Sequence, residues 1–136
     1  MCWWYEWVDQ HDQWAPYRAL KAFVAGEDLR GTAAGSILLA CTGGARPLWG
    51  RAWCTPDRVL GYVIDRAWGS SGDKAPEQAG VSIAGEGLAA GDWQVEWWDA
   101  DTGTILGRDP LNHPGGAWTL TAPGFRRHMA FKIVRQ

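Results

Sequence analysis

The sequence has no excess of basic charge. Its 13 Lys and Arg are set against 15 Asp and Glu over 136 residues, for a formal net charge of −2. A domain that binds nucleic acid needs a cluster of basic side chains to meet the phosphates, so no nucleic-acid partner is expected. No apolar run approaches the ~20 residues of a membrane-spanning helix, so no membrane partner is expected either.

Cysteine and histidine are also scarce. The three cysteines, Cys2, Cys41 and Cys54, lack C-x-x-C spacing, and the three histidines lack the spacing of a metal site. We therefore expect no metal and no cofactor. Free buried thiols are the favoured state of Cys41 and Cys54, with a bond between them as the alternative if two strands bring them together.

The N-terminus offers no targeting signal. Met1 is followed by Cys2 and Trp3 without the basic segment that opens a signal peptide, which predicts a cytoplasmic chain as it stands. The serines lack a nucleophile elbow, and the segment GSSGDK lacks P-loop spacing. These motifs indicate no enzymatic site.

Glycine and tryptophan, in contrast, are abundant. The chain has 18 Gly, 7 Pro and 11 Trp, and 46% of its residues are hydrophobic against 21% charged. Many Gly and Pro are typical of a turn-rich β fold with a packed core. Eleven Trp exceed what a small core needs, so some of them are expected to present an aromatic face to solvent.

One β-hairpin is indicated most clearly, in Gly91–Gly107 (GDWQVEWWDADTGTILG). Trp93, Val95 and Trp97 alternate with more polar residues and with Trp98, as in a strand with one buried face. The segment 99–103, DADTG, supplies turn residues and a final Gly. It resembles the start of a calcium loop but lacks the later ligands, so turn chemistry is favoured over a metal.

About eight short strands follow one another after residue 35, at the spacing typical of a sandwich. They are predicted at 36–42, 46–54, 58–68, 81–84, 93–98, 104–107, 118–122 and 128–135, with Pro47 suggesting an edge position for the second. In the last strand Met129, Phe131 and Ile133 are expected to point inward. The predicted fold class is mainly β, a two-sheet antiparallel β-sandwich spanning residues 36–136.

The first 25 residues have a different pattern. Residues 3–8, WWYEWV, predict a strand, and Asp12 is a plausible N-cap for a helix that runs to about Ala25. Its predicted apolar stripe comprises Tyr17, Leu20, Phe23 and Val24. We interpret residues 1–25 as a strand-helix unit and the polar residues 26–35 as a linker.

Exposed tryptophans are candidates for stacking on sugar rings. The candidates by position are Trp49, Trp53, Trp68 and Trp98. Packing under a loop or against another element is favoured for any single one of them, because Trp is usually well buried. At least one outward platform is expected.

Two segments resemble parts of retaining (β/α)₈-barrel, cellulase-like glycoside hydrolases. The pattern W-W-x-x-x-V-D from Trp3, followed by Y-R-A-L-x-x-F-V-x-G-E-D-L from Tyr17, resembles their eighth strand and helix. The pattern G-D-W-x-V-x-W-W-D-x-x-T-G from Gly91 resembles their C-terminal β-sandwich.

The resemblance implies roles for the N-terminal residues. Trp3 or Trp4 matches the aromatic floor of the sugar subsite, and Glu6 lies on the same predicted strand. The two catalytic carboxylates of these barrels come from their fourth and seventh strands, which this sequence does not contain. The resemblance therefore implies no catalytic residue here, and no activity of this chain alone. It adds that the full-length relatives are exported in some cases.

Three hypotheses remain open. The first is a non-catalytic accessory domain or fragment of a glycoside hydrolase, which stabilises a barrel and binds polysaccharide through Trp. The second is a stand-alone carbohydrate- or protein-binding module that self-associates through an N-terminal aromatic patch. The third is one piece of a split hydrolase, in which Trp3, Trp4 and Glu6 complete a partner's site. Packing of residues 3–24 on the sandwich would favour the second hypothesis.

Overall fold

The computed structural model describes residues 3–30, 35–71 and 74–136, except for the side chains of residues 3–5, 70 and 71. The described chain is mainly β and antiparallel, as predicted. Its helices are α1 (Trp3–Gln10), α2 (Ala15–Val24) and the single turn α3 (Trp68–Ser71). Its strands are β1 (Gly35–Thr42), β2 (Leu48–Thr55), β3 (Arg58–Asp65), β4 (Ser82–Leu88), β5 (Gly91–Asp99), β6 (Thr104–His113), β7 (Gly116–Thr121) and β8 (His128–Arg135).

The eight described strands connect in the order β6-β5-β8-β3-β2-β1-β4-β7. Strand β1 joins the two halves of this arrangement. Its first part, from Gly35 to Leu39, pairs with β2, and its last part, from Ala40 to Thr42, pairs with β4. The sheet therefore bends at β1, and its two halves face each other across one core.

The core is formed by the inward side chains of both halves. Met129, Phe131 and Ile133 of β8 are fully buried, as the alternation predicts. The indoles of Trp97 and Trp118 pack against the Phe131 ring, with centroids 5.8 and 6.1 Å away. Large side chains from β5, β7 and β8 thus fill the space between the halves.

The β5–β6 hairpin forms as predicted, but its return strand continues to His113 and does not end at Gly107. Asp99 pairs with Thr104, and Gly103 takes the left-handed conformation with φ of 72°. One carboxylate oxygen of Asp99 accepts hydrogen bonds from the backbone N–H groups of Asp101 (2.8 Å) and Thr102 (3.0 Å). This is an Asx turn, so the Asp99 carboxylate stabilises the turn.

The predicted N-terminal strand is wrong. Residues 3–10 form the helix α1, whose last turn continues through a hydrogen bond from His11 N–H to the Trp7 carbonyl. Aromatic and β-branched residues favour a strand only where a neighbouring strand accepts the backbone hydrogen bonds. None of the described strands pairs with this segment, and a helix satisfies its backbone groups internally. The strand-helix unit is therefore a helix pair.

Helix α2 is confirmed, with corrected boundaries and a corrected face. Trp14, and not Asp12, occupies the N-cap, and no side chain caps that end. Asp12 instead takes a left-handed conformation in the turn between the helices. Ala19 is the fully buried residue of α2, whereas Tyr17 and Leu20 of the predicted stripe are exposed.

Helix α2 is docked on the outward face of the sheet. The ring of Phe23 meets the ring of Trp98 edge-on, with centroids 5.5 Å apart. Gly103 approaches the helix backbone so closely that a Cβ there would lie 2.7 Å from Cα of Ala19. The helix therefore packs on the sheet through β5 and the β5–β6 turn.

Glu27, predicted as part of the linker, lies at the end of this docked segment. Its carboxylate is 2.6 Å from Nζ of Lys132 and 3.2 Å from Nε of Arg58. Only 6% of the Lys132 side chain and 9% of the Glu27 side chain are exposed there. The connector is thus tied to β8 by a buried ion pair.

Two smaller expectations are also settled. Strand β2 is an interior strand, and Pro47 lies just before its first residue, where no ladder hydrogen bond is lost.

Cys41 and Cys54 are free thiols. Cys54 is opposite Gly35, six residues from Cys41 along β1. At about 3.3 Å per residue this is roughly 20 Å, far beyond the ~7 Å limit for a disulfide. No helix among the described residues is long and apolar enough to cross a bilayer.

Candidate functional site

The outward face of the sheet has a covered part and an open part. One row of outward residues crosses five neighbouring strands by direct register, in the order Trp98, Ala130, Tyr62, Arg51 and Leu38. Helix α2 covers the Trp98 end of this row. At the other end, Leu38 and Arg51 are exposed. The open part is the surface on which a large ligand can lie flat.

Strand β2 supplies the aromatic residues of the open part. Gly50 and Ala52 point into the core, so Trp49, Arg51 and Trp53 all point outward, and we call these three residues the platform. Trp49 is 43% exposed and Trp53 is half-buried. The guanidinium carbon of Arg51 lies 5.9 Å from the centroid of the Trp49 ring. The platform thus offers two indoles with a hydrogen-bond donor group between them.

A polar cleft begins where the platform ends. It has a volume of about 260 Å³, and Trp53, Thr55, Asp57 and Arg58 contribute to its lining. The Thr55 hydroxyl donates to a carboxylate oxygen of Asp57 at 2.9 Å. A ligand on the platform therefore meets an aromatic surface first and then a set of hydrogen-bonding groups, which we call the Trp53 cleft.

Trp98 does not belong to the open part. It points outward, opposite to Trp93 and Trp97, as the alternation predicts, yet it is only 9% exposed. Phe23 covers it, and Nζ of Lys132 lies 5.1 Å from the centroids of both rings. The prediction of Trp98 as an exposed platform is wrong because α2 packs on that part of the face.

Trp68 belongs to a separate polar cluster. Its ring stacks on the imidazole of His128 at 5.1 Å. Nδ1 of His128 is 2.6 Å from the Tyr62 hydroxyl, and Nε2 is 2.9 Å from a carboxylate oxygen of Asp101. Arg127 donates to the other Asp101 oxygen at 2.9 Å. We call Tyr62, Trp68, Asp101, Arg127 and His128 the His128 cluster.

The cluster shifts the ionisation of two of its members. Burial alone would raise the pKa of Asp101, but the hydrogen bond and charge of His128 and those of Arg127 together hold it below the ordinary value of 3.8. Burial, aided by the Asp101 charge, raises the pKa of the Tyr62 hydroxyl above 10.0. At neutral pH Asp101 is therefore a carboxylate and Tyr62 a neutral phenol.

Among the remaining predicted residues, Glu6 has a described side chain, and it lines neither the platform, the Trp53 cleft nor the His128 cluster. Glu6 is exposed on α1. The side chains of Trp3 and Trp4 lie outside the described residues. Over 3–30, 35–71 and 74–136, no three His, Cys, Asp or Glu side chains come together in a way that could hold a metal ion.

The His128 cluster was not predictable from the sequence. His128 and Tyr62 are 66 residues apart, and His128 and Asp101 are 27 apart. His128 begins β8, Tyr62 lies inside β3 and Asp101 lies in the β5–β6 turn, so no local pattern links them. Only the register that places His128 opposite Ile64 brings them together. No protein-family model, curated protein or solved structure matches this chain.

Proposed function

We propose that this chain is a non-catalytic carbohydrate-binding β module, and that the platform and the Trp53 cleft bind the glycan. The observation that carries the proposal is the outward row Trp49, Arg51 and Trp53 on the open part of the sheet. The proposal assigns no hydrolase reaction to this chain.

The chemistry of the platform matches that of a sugar chain. A pyranose ring has C–H faces, which pack well on an indole, and equatorial hydroxyls, which need donors and acceptors at the edge. Trp49 and Trp53 offer the faces, while Arg51 and the Trp53 cleft offer the polar groups. Four residues along a strand place the two Trp Cα atoms about 13 Å apart. A ligand that touches both indoles is therefore an oligosaccharide rather than a single sugar.

The packing of the helices bears on the choice among the three hypotheses. Helix α2 is docked on the sheet through Phe23, Ala19 and Glu27. This favours a module that folds with helix α2 packed on its own sheet. The likeness of the β5–β6 hairpin to the sandwich domain of glycoside hydrolases supports a second reading, in which the module accompanies such an enzyme. The N-terminal residues that resemble a barrel strand in sequence form helix α1 in the structure.

The experiment is a binding assay with soluble and insoluble glucans, mannans and xylans. We expect the purified chain to bind at least one of them saturably. Trp49→Ala and Trp53→Ala each weaken that binding about tenfold or more, because each removes a stacking surface at the centre of the site. Trp7→Ala is the matched control, since Trp7 is similarly exposed but lies on α1.

Two outcomes contradict the proposal. One is a folded wild-type chain, checked by circular dichroism, that binds none of the glycans. The other is an equal loss of binding in the Trp7→Ala control, which would place the binding surface elsewhere or make it non-specific.

A further inference from the structure

A second concave site lies under helix α2, and we call it the α2 cavity. Its volume is about 330 Å³, and its apolar walls include Ala19 and Phe23 of the helix and Trp98 and Ala130 of the sheet. Tyr62 also lines it, together with His128. It is a different site from the platform, and its occupant is independent of the proposed function.

The cavity lies where small residues of the helix and of the sheet face each other. The Phe23–Trp98 contact and the Glu27–Lys132 ion pair hold the C-terminal end of the helix on the sheet. Between the helix and β8 the wall residues are Ala19 and Ala130, whose methyl groups fill little space. A space of this kind in a packed protein costs stability, so it persists where it has a use or where larger residues do not fit.

When the His128 imidazole is neutral, the polar end of the cavity has a defined hydrogen-bonding direction. Asp101 is a carboxylate and accepts from Nε2 of His128, so in the neutral imidazole Nδ1 carries the lone pair. The Tyr62 hydroxyl then donates its proton to Nδ1. What Tyr62 still offers to a ligand is the acceptor capacity of its oxygen.

We infer that the α2 cavity binds a small, mainly apolar molecule of one or two rings that carries a hydrogen-bond donor, which the Tyr62 oxygen accepts. The walls supply an apolar surface for the ring. An apolar cavity of about 150 Å³ is large enough for benzene, so the α2 cavity has room for a substituted or fused ring.

The test compares phenol with toluene, two probes of nearly equal size that differ in one hydroxyl. A wholly apolar cavity would bind toluene and reject phenol, because the buried hydroxyl would lose its hydrogen bonds to water. We expect the full chain to bind phenol at least as tightly as toluene. In a ¹⁵N-¹H correlation spectrum, the shifts on titration should centre on Ala19, Phe23 and Ala130 and leave Trp49 unmoved.

Variants locate the site independently. Ala130→Leu should fill the cavity and weaken phenol binding more than tenfold, whereas Ala117→Leu, the same substitution at an exposed position of β7, should leave it unchanged. If Ala130→Leu does not fold, the shifts in the spectrum of the wild-type chain still show whether phenol binds in the α2 cavity. Absence of saturable shifts with either probe, shifts centred on Trp49, or binding of toluene with exclusion of phenol would each overturn the inference.

Discussion

Nζ of Lys132 lies 2.6 Å from Oε1 of Glu27, and Lys132 is buried while the Glu27 side chain is only 9% exposed. The ammonium group is also 5.1 Å from the ring centroids of Phe23 and Trp98. One charged group therefore joins the end of the helical segment to the outward face of β8. The negative charge of the Glu27 carboxylate offsets the free energy that is lost when the Lys132 ammonium group is removed from water.

The first prediction concerns that counter-charge. Glu27→Ala should lower the free energy of unfolding by about 3–5 kcal/mol, because it leaves a buried ammonium unpaired. Adding Lys132→Met should recover part of the loss, since a long apolar side chain then occupies the same space. Urea unfolding measures both, with Glu86→Ala at an exposed position of β4 as the control. A single variant as stable as the control would contradict the assigned role of the pair.

The second prediction concerns Gly61, which lies in β3 opposite Phe131 of β8. A Cβ at Gly61 would come within 2.1 Å of the Phe131 ring, whose side chain is fully buried. Gly61→Ala should therefore destabilise the fold by about 1–3 kcal/mol or more through overpacking.

Gly107 in β6 is the matched control for Gly61. A Cβ there would meet no atom within 4 Å, so Gly107→Ala should leave the thermal midpoint nearly unchanged. Equal midpoints for the two variants would mean that the Phe131 ring has room to move.

The alternation of apolar and polar residues in the strands predicted which side chains face the core. Trp93, Val95 and Trp97 in β5, and Met129, Phe131 and Ile133 in β8, repeat every second residue and were placed inward correctly. The turn at 99–103 followed from Asp99 and Gly103, whose roles are local. Such features are predictable because they depend on neighbours in the sequence.

Features that depend on distant partners were not predictable. The segment at Trp7 and Val8 has strand-forming residues but no strand to pair with, so it became a helix. Trp98 was placed on the correct face, but the sequence did not indicate that Phe23 would cover it. Glu27 was one acid in a polar stretch until the fold placed Lys132 beside it.

The third prediction concerns pH and Asp101. The pKa of Asp101 in the folded chain is below its ordinary value of 3.8, so its contribution to stability is fully present above pH 3.8 and is lost as the pH falls through the lowered value. Asp101→Asn removes this contribution. The difference in free energy of unfolding between wild type and variant should therefore be largest near neutral pH and shrink in acid.

The size of that difference should be modest, under about 1 kcal/mol, because half of the Asp101 side chain is exposed to solvent. High salt should reduce it further by screening the charges of Arg127 and His128. Urea titrations between pH 2 and pH 7, at low and high salt, provide the measurement. A difference that is constant over this range would show that the carboxylate charge contributes nothing.

The fourth prediction compares Trp98 and Trp49, two of the outward tryptophans for which the sequence indicated the same role. Trp98 is buried under Phe23, whereas Trp49 is exposed on the platform. Trp98→Ala should lower the free energy of unfolding by about 3–5 kcal/mol, because it removes a large buried ring and weakens the seat of α2. Trp49→Ala should change it by no more than about 0.5 kcal/mol. Thermal and urea unfolding of both variants measures the contrast. Equal stability of the two would mean that α2 leaves this face in solution, and Trp98 would then join Trp49 on the open part of the sheet.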